Sequence, residues 1–156
     1  MKKILLLTVC VLLCLGALAS CEGMQKKTGE RASVAMLDEI QPALEGAGYD
    51  SFKRYGMGDT AVFEIELKEK LAEKDMALVG KVTGVLTGEY TNPETGAWVK
   101  QTVIGFDTSV DVATMMTYYQ TIYSTELSEG KAVLTDGGWI VNLTLSSNVI
   151  ENAPAH

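Results

Sequence analysis

Histidine and cysteine are nearly absent from this sequence, and their scarcity limits the chemistry of the chain. The one histidine is His156, the last residue, and the three cysteines all lie within residues 1–21. A serine or cysteine nucleophile needs a nearby base, so Ser-His-Asp and Cys-His sites cannot form in the interior of the chain. Zinc sites with Cys and His spacing, Walker loops and glycine-rich dinucleotide loops are missing as well.

Acidic residues are the remaining candidates for catalysis, because glycosidases and some metal sites need only carboxylates. Asp107 and Asp111 flank the junction between a predicted strand and a predicted helix, where the two side chains could lie close together. A loop acid and a first-turn acid explain them more simply. We therefore expect this chain to have no catalytic residue, no cofactor and no metal. A carboxylate-dependent envelope hydrolase is the alternative.

Positive charge is also scarce. The chain has 13 Lys and Arg against 20 Asp and Glu, which gives a net charge of −7. A charge of that sign argues against nucleic acid as a partner and against direct adhesion to anionic lipid headgroups. Solubility beside a negatively charged membrane is the simplest explanation of the acidity.

A long apolar run is found at the start of the chain. Residues 1–3 (Met-Lys-Lys) precede residues 4–19, which contain no acid, amide or base. This is the pattern of a secretory signal peptide, and the run is short for a membrane-spanning helix. It ends in Leu18-Ala19-Ser20-Cys21, which resembles the lipobox of bacterial lipoproteins. An ordinary signal peptide, with Cys21 merely near the cleavage site, is the alternative.

The resemblance implies that residues 1–21 form a lipoprotein signal in which Cys21 is the first mature residue. Cys21 would carry thioether-linked diacylglycerol and an N-acyl chain such as palmitate. Each buried CH₂ contributes about 0.8 kcal/mol, so two or three chains hold a protein firmly at a membrane. The implied location is the cell envelope: the outer membrane facing the periplasm in a Gram-negative host, and otherwise the outer face of the cell membrane.

The mature chain divides into three predicted parts. Residues 22–31 are polar and predict a flexible tether, residues 32–150 predict one globular domain, and residues 151–156 predict a loose tail. Within the domain, turn signals at residues 92–96 and 136–138 predict two hairpins.

Hydrophobic periodicity predicts an α+β fold with an antiparallel or mixed sheet and helices packed on one face. A helix is predicted over residues 33–47, with a kink or a second helix starting near Pro42. Another helix is predicted after Thr108-Ser109, with Asp111 in its first turn and Gly130 at its end. Residues 60–74 fit both a helix and a strand, and their composition favours a helix. A strand there would give an α+β fold with a larger proportion of β-strand. If the first helix and the last strand are left out, the predicted elements follow the order β-α-β-β-α-β, which is the order of a ferredoxin-like fold. A ferredoxin-like core is therefore the candidate topology. The predicted strands span residues 49–55, 78–90, 98–106, 131–136 and 139–145.

Three glycines, Gly80, Gly84 and Gly88, recur every four residues in the strand predicted over residues 78–90. In a membrane helix this spacing would form a packing face, but the apolar run is short and interrupted by Lys81. On a strand these glycines share one face, where a helix or an aromatic ring can press close. Packing is the favoured role, and the glycine face is the candidate binding surface.

The sequence favours a membrane-anchored bacterial lipoprotein that acts as a non-enzymatic binding or interaction module in the cell envelope. Its partners would be the membrane, through the lipid on Cys21, and an envelope protein or a small ligand. The alternatives are the carboxylate-dependent hydrolase and a structural lipoprotein that self-associates through the glycine face.

Overall fold

The computed structural model of the chain describes residues 29–56, 78 and 81–151. The predicted signal peptide, residues 22–28 of the predicted tether, the ambiguous segment 60–74 and residues 152–156 of the predicted tail lie outside the described residues. Residues 29–31, predicted as flexible tether, belong to the first helix instead, and that helix continues through Pro42. The elements follow one another as α1 (Gly29–Gly46), β1 (Asp50–Gly56), β2 (Val82–Thr91), β3 (Trp98–Phe106), α2 (Ser109–Ile122), α3 (Ser124–Ser128), β4 (Ala132–Asp136) and β5 (Ile140–Ser146).

The strands form one five-stranded sheet in the order β1-β2-β3-β5-β4, and every neighbouring pair is antiparallel. The predicted α+β class with an antiparallel sheet is therefore confirmed. The ferredoxin-like candidate topology is not the one found. Its split β-α-β units need parallel strands separated by a third strand, whereas β1 and β2 are antiparallel neighbours. A polar strand with exposed side chains on both faces, as β1 is, suits the edge of a sheet.

The helices do not pack on one face of the sheet, and that prediction is wrong for the described part of the chain. Val103 and Ile104 are consecutive on β3, point to opposite faces, and are both fully buried. Val103 belongs to a cluster with Leu37 of α1, and Ile104 to a cluster with Met115 of α2. Strands that are apolar at both parities need cover on both faces, so α1 covers one face and α2 the other.

The two clusters are named for the helices that build them. The α1 cluster contains Met36, Leu37, Ile40, Leu44, Tyr49, Leu86, Val99, Val103 and Ile140. The α2 cluster contains Leu78, Val82, Val85, Ile104, Phe106, Val112, Met115, Tyr119, Ala132, Leu134, Val141 and Leu143.

Both predicted hairpins are present, and side chains stabilise their turns. Between β2 and β3, the Asn92 side-chain oxygen accepts a hydrogen bond from the Glu94 N–H at 2.9 Å, and Gly96 has a φ of +71°. Between β4 and β5, the Asp136 carboxylate accepts one from the Gly138 N–H at 2.6 Å, and Gly138 has a φ of +81°. Both signals are local in sequence, which is why the turns were predictable.

The helix predicted to run on to Gly130 is divided at Tyr123, which separates α2 from α3. Tyr123 leaves the helical conformation, with φ −106° and ψ 25°, although its N–H still donates to the Tyr119 carbonyl. Its ring packs edge-on against the ring of Tyr119, with centroids 5.6 Å apart. The last helical turn, α3, contacts α2 and β4.

The α1 face of the sheet also contains a buried polar network. Gln101 is 1% exposed; its amide donates to the side-chain oxygen of Asn142, and its oxygen accepts from the Thr144 hydroxyl at 2.9 Å. Buried polar groups are tolerated when they are paired with one another. This network ties β3 to β5 in one register, because a shift by one residue would turn the polar groups to the other face.

Glycine at position 105 allows α1 to approach the sheet closely. A Cβ atom there would lie 2.7 Å from the Thr83 hydroxyl oxygen and 2.9 Å from the Ser33 Cβ. The hydroxyl groups of Ser33 and Thr83 are 2.6 Å apart, hydrogen-bonded to each other and buried. Any side chain at Gly105 would therefore force α1 away from the sheet.

We predict that Gly105→Ala lowers the free energy of unfolding by about 1–3 kcal/mol, because it over-packs the contact between α1 and the sheet. Urea denaturation followed by circular dichroism measures the change. Gly46→Ala is the matched control, since a Cβ there meets nothing within 4 Å, and we expect it to be neutral or stabilising by up to about 1 kcal/mol. Equal losses in the two variants would contradict the proposed close contact.

Candidate functional site

Two of the three glycines in the candidate binding face are packed against other side chains of the same chain. A Cβ on Gly84 would lie 2.9 Å from Cδ1 of Leu37, and a Cβ on Gly88 would lie 2.7 Å from Cε1 of Phe52. Gly84 and Gly88 are both buried beneath these side chains. A helix residue and an aromatic ring from the chain itself thus occupy the space that a partner would need. Gly80 lies outside the described residues, as does the lipidation residue Cys21.

The two candidate carboxylates, Asp107 and Asp111, have different environments. Asp107 is exposed, whereas Asp111 is 5% exposed and lies in the first turn of α2. One oxygen of Asp111 accepts from the Lys81 ammonium at 2.9 Å, and the other accepts from the Thr108 hydroxyl at 2.5 Å. With both oxygens engaged, Asp111 stabilises the start of α2. The carboxylate-dependent hydrolase stays a prediction.

The pKa of Asp111 reflects a competition between burial and hydrogen bonding. Burial by itself raises the pKa of a carboxyl group, because it removes the charged form from water. The hydrogen bonds from Thr108 and Lys81 and the positive charge of Lys81 outweigh this effect, so the pKa of Asp111 is lowered from 3.8. Asp111 is therefore ionised at neutral pH and stabilises the folded state there.

A surface groove is lined by the start of β3, the end of β5 and α3 with the residues after it. Its volume is about 310 Å³. Leu145 pairs with Lys100, two residues along β3 from Trp98, so Leu145 and Trp98 lie on the same face of the sheet. We call this feature the Trp98 groove; it is lined by Trp98, Thr125, Glu126, Glu129, Lys131, Leu145, Ser146 and Ser147.

Trp98 is held by its backbone while its side chain remains 42% exposed. The Trp98 N–H donates to the Ser147 hydroxyl oxygen at 3.0 Å, and the Trp98 carbonyl accepts from the Ser147 N–H at 3.0 Å. These two bonds hold the start of β3 against the segment that follows β5. The indole is thus presented at the surface on a rigid strand, where contact with a ligand costs little ordering.

The three charged groups of the groove are unequally paired. The Lys131 ammonium donates to the Glu129 carboxylate at 2.8 Å, so these two charges largely neutralise each other. The half-buried carboxylate of Glu126 has no hydrogen-bond or ion-pair partner among the residues that the structure describes. The groove therefore keeps one uncompensated negative charge beside an exposed indole.

Three further observations limit the interpretation of the site. Within the described ranges, no three His, Cys, Asp or Glu side chains are close enough to hold a metal ion. No helix in those ranges is long and apolar enough to cross a membrane. The chain matches no protein-family model, no curated protein and no solved structure. The groove is therefore interpreted from its own geometry and charge.

Sequence reasoning did not identify the Trp98 groove. Its lining comes from three separate parts of the chain, at the start of β3, across α3 to Lys131, and at the end of β5. Trp98 follows the β2–β3 turn as an ordinary strand residue does, and the carboxylates of α3 resemble a solvated helix face. The one usable signal was the large aromatic side chain at the end of a strand, where exposure is common.

The lowered pKa of Asp111 predicts a pH-dependent loss of stability. We expect Asp111→Asn to lower the free energy of unfolding by about 1–3 kcal/mol at pH 7, because the charged hydrogen bonds are lost. The contribution is full above the carboxyl's unfolded pKa, near 3.8, and disappears as the pH falls through the lower folded pKa.

Denaturation of both proteins between pH 7 and pH 2 measures this difference. Asp107→Asn is the control, because Asp107 is an exposed neighbour, and we expect its effect to stay within about 0.5 kcal/mol. A stability gap between Asp111→Asn and the parent protein that persists undiminished at pH 2 would contradict the assignment.

Proposed function

We propose that this protein is a lipid-anchored, non-enzymatic binding module of the cell envelope, and that the Trp98 groove is its binding site. The observation that carries the proposal is the indole of Trp98, which is exposed at the mouth of a groove while its backbone is fixed by Ser147. Large aromatic side chains dominate the binding energy of recognition sites, because they bury much apolar area at little entropic cost.

The size of the groove supports a small ligand or one protruding group of a larger partner. Small-molecule sites generally have volumes of about 300–1,000 Å³, and the Trp98 groove lies at the lower end of that range. Its lining combines an apolar part, Trp98 and Leu145, with hydroxyl and charged groups that can orient a ligand. This mixture is typical of binding sites.

The anchor supports the location. The resemblance of Leu18-Ala19-Ser20-Cys21 to a lipobox supports a lipidated cysteine at the start of the mature chain, and a covalent lipid confines a binding domain to the membrane surface. The exported chain carries 11 basic and 20 acidic residues once Lys2 and Lys3 are removed, a net charge of −9. That charge disfavours contact of the domain with anionic lipid headgroups, which leaves its surface available to other partners.

The proposed location predicts that Cys21→Ser moves the protein from the membrane fraction to the soluble fraction, because no acyl chains are attached. Fractionation of a bacterial host, with mass spectrometry of the mature N-terminus, measures both effects. Cys14→Ser is the matched control, since Cys14 lies in the predicted signal and its loss leaves Cys21 intact. An unlipidated parent protein, or a Cys21→Ser protein that stays in the membrane fraction although its signal has been removed, would contradict the anchor.

The proposed binding site predicts position-specific crosslinking in cells. A photoreactive amino acid at Thr125, which is exposed and lines the groove, is compared with one at Thr114, which is exposed on α2 outside it. We expect an adduct on the Thr125 variant alone, and mass spectrometry of the purified chain detects either a small molecule or a protein. Adducts of equal yield at both positions, or none at either, would argue against the groove.

A further inference from the structure

We infer that the Trp98 groove selects a small organic cation, one with a single ammonium or guanidinium group beside an apolar stem. The inference rests on the proposed binding function of the groove and adds the class of ligand. It depends on the unpaired carboxylate of Glu126, the ion pair beside it and the exposed indole.

The charge of the groove favours a cation. Glu126 supplies a half-buried carboxylate with no partner among the described residues, and Glu129 supplies a second carboxylate whose partner is Lys131. An anionic ligand would meet two carboxylates in a chain of net charge −7. A neutral ligand would leave Glu126 uncompensated, whereas a cation pairs with it.

Lys131 shows that an ammonium group fits the groove. Its Nζ lies 2.8 Å from a carboxylate oxygen of Glu129, so the lining already accommodates one ammonium–carboxylate pair. The remaining carboxylate, on Glu126, precedes Glu129 by three residues, which is close to one helical turn. A ligand cation that binds Glu126 repeats the arrangement that Lys131 makes with Glu129.

Trp98 provides the second contact for the same ligand group. A cation over the face of an indole is attracted by the negative face of the ring, and tryptophan is the best side chain for this interaction. The apolar stem of the ligand would contact the rest of the indole and Leu145. The volume of about 310 Å³ has room for one such group and a short stem.

The test uses the full lipidated chain in lipid nanodiscs, with ¹⁵N-labelled tryptophan observed by NMR. The probes are Nα-acetylarginine amide, its neutral isostere Nα-acetylcitrulline amide, and n-butylamine. The first two have nearly the same shape and differ in the charge of the head group, guanidinium against urea; n-butylamine carries one ammonium group and represents a free amine, and the arginine derivative represents a peptide side chain. Trp139 is an internal control, because it packs against the α1 cluster on the opposite face of the sheet.

We expect the indole N–H resonance of Trp98 to shift with the two cations while that of Trp139 does not. The arginine derivative should bind at least about fivefold more tightly than the citrulline derivative at low ionic strength, and the difference should shrink as salt is added. Tighter binding of n-butylamine than of the arginine derivative would indicate a free amine as ligand. The reverse order would indicate a side chain of a peptide; both support the inference.

Three variants of lining residues test the inference: two are expected to weaken binding and one is expected to tighten it. Glu126→Gln should weaken binding of the arginine derivative about two- to fivefold, because it removes the unpaired charge. Lys131→Gln should tighten it by a similar factor, since Glu129 then becomes available to the ligand. Trp98→Leu keeps an apolar side chain without the ring face and should weaken binding about two- to fivefold. Circular dichroism and urea midpoints confirm that each variant is folded.

Three results would overturn the inference, and the binding function stands in each of them as long as Thr125 still crosslinks a partner. The first is equal affinity for the charged and neutral isosteres with a shift at Trp98, which would mean a groove indifferent to charge. The second is no shift at Trp98 with any probe while Thr125 still crosslinks a partner in cells. A shift confined to Trp139 would place cation binding elsewhere and would also overturn the inference. Loss of the Thr125 crosslink as well would overturn the binding function itself.

Discussion

Burial of the sheet on both faces is the constraint on which this structure depends. β2 is buried over seven consecutive residues, Val82 to Gly88, so neither face can be left to water. One face is covered by α1, which approaches closely because Gly84 and Gly105, partners across β2 and β3, carry no side chain. The other face is covered by α2 and α3. The buried polar groups between these layers are paired with one another, as in the network around Gln101.

The Trp98 groove lies beside α3, the short helix that helps to cover the second face of the sheet. α3 is only five residues long, and the chain turns at Gly130, whose φ is +69°, before β4 begins. Ser147, which follows β5, is held against the start of β3 through the backbone of Trp98. The side chain of Trp98 is exposed there, and Glu126 and Glu129 line the same groove. The binding site that we propose therefore lies at one end of the sheet, beside α3.

Local signals in the sequence predicted most of the secondary structure, whereas the arrangement of the elements was not predictable from them. The turns at Asn92 and Asp136 depend on side chains that bond to backbone within a few residues, so the sequence contains their cause. The ferredoxin-like order and the placement of helices on one face were wrong because pattern alone does not say which strands pair. The division at Tyr123 was missed because the apolar stripe of the predicted helix, which includes Tyr119 and Tyr123, continues across it.

The sequence by itself determined the α+β class, the two hairpins, the negative charge and the lipobox that predicts an anchor at Cys21. These depend on composition and on residues close together in the chain. Only the tertiary structure decided that Gly84 and Gly88 lie beneath Leu37 and Phe52 instead of forming an open surface. Only the tertiary structure shows that Trp98 and Glu126 line one groove. These residues are far apart in the chain, and they meet because of the way the strands pair and the place where the helix lies.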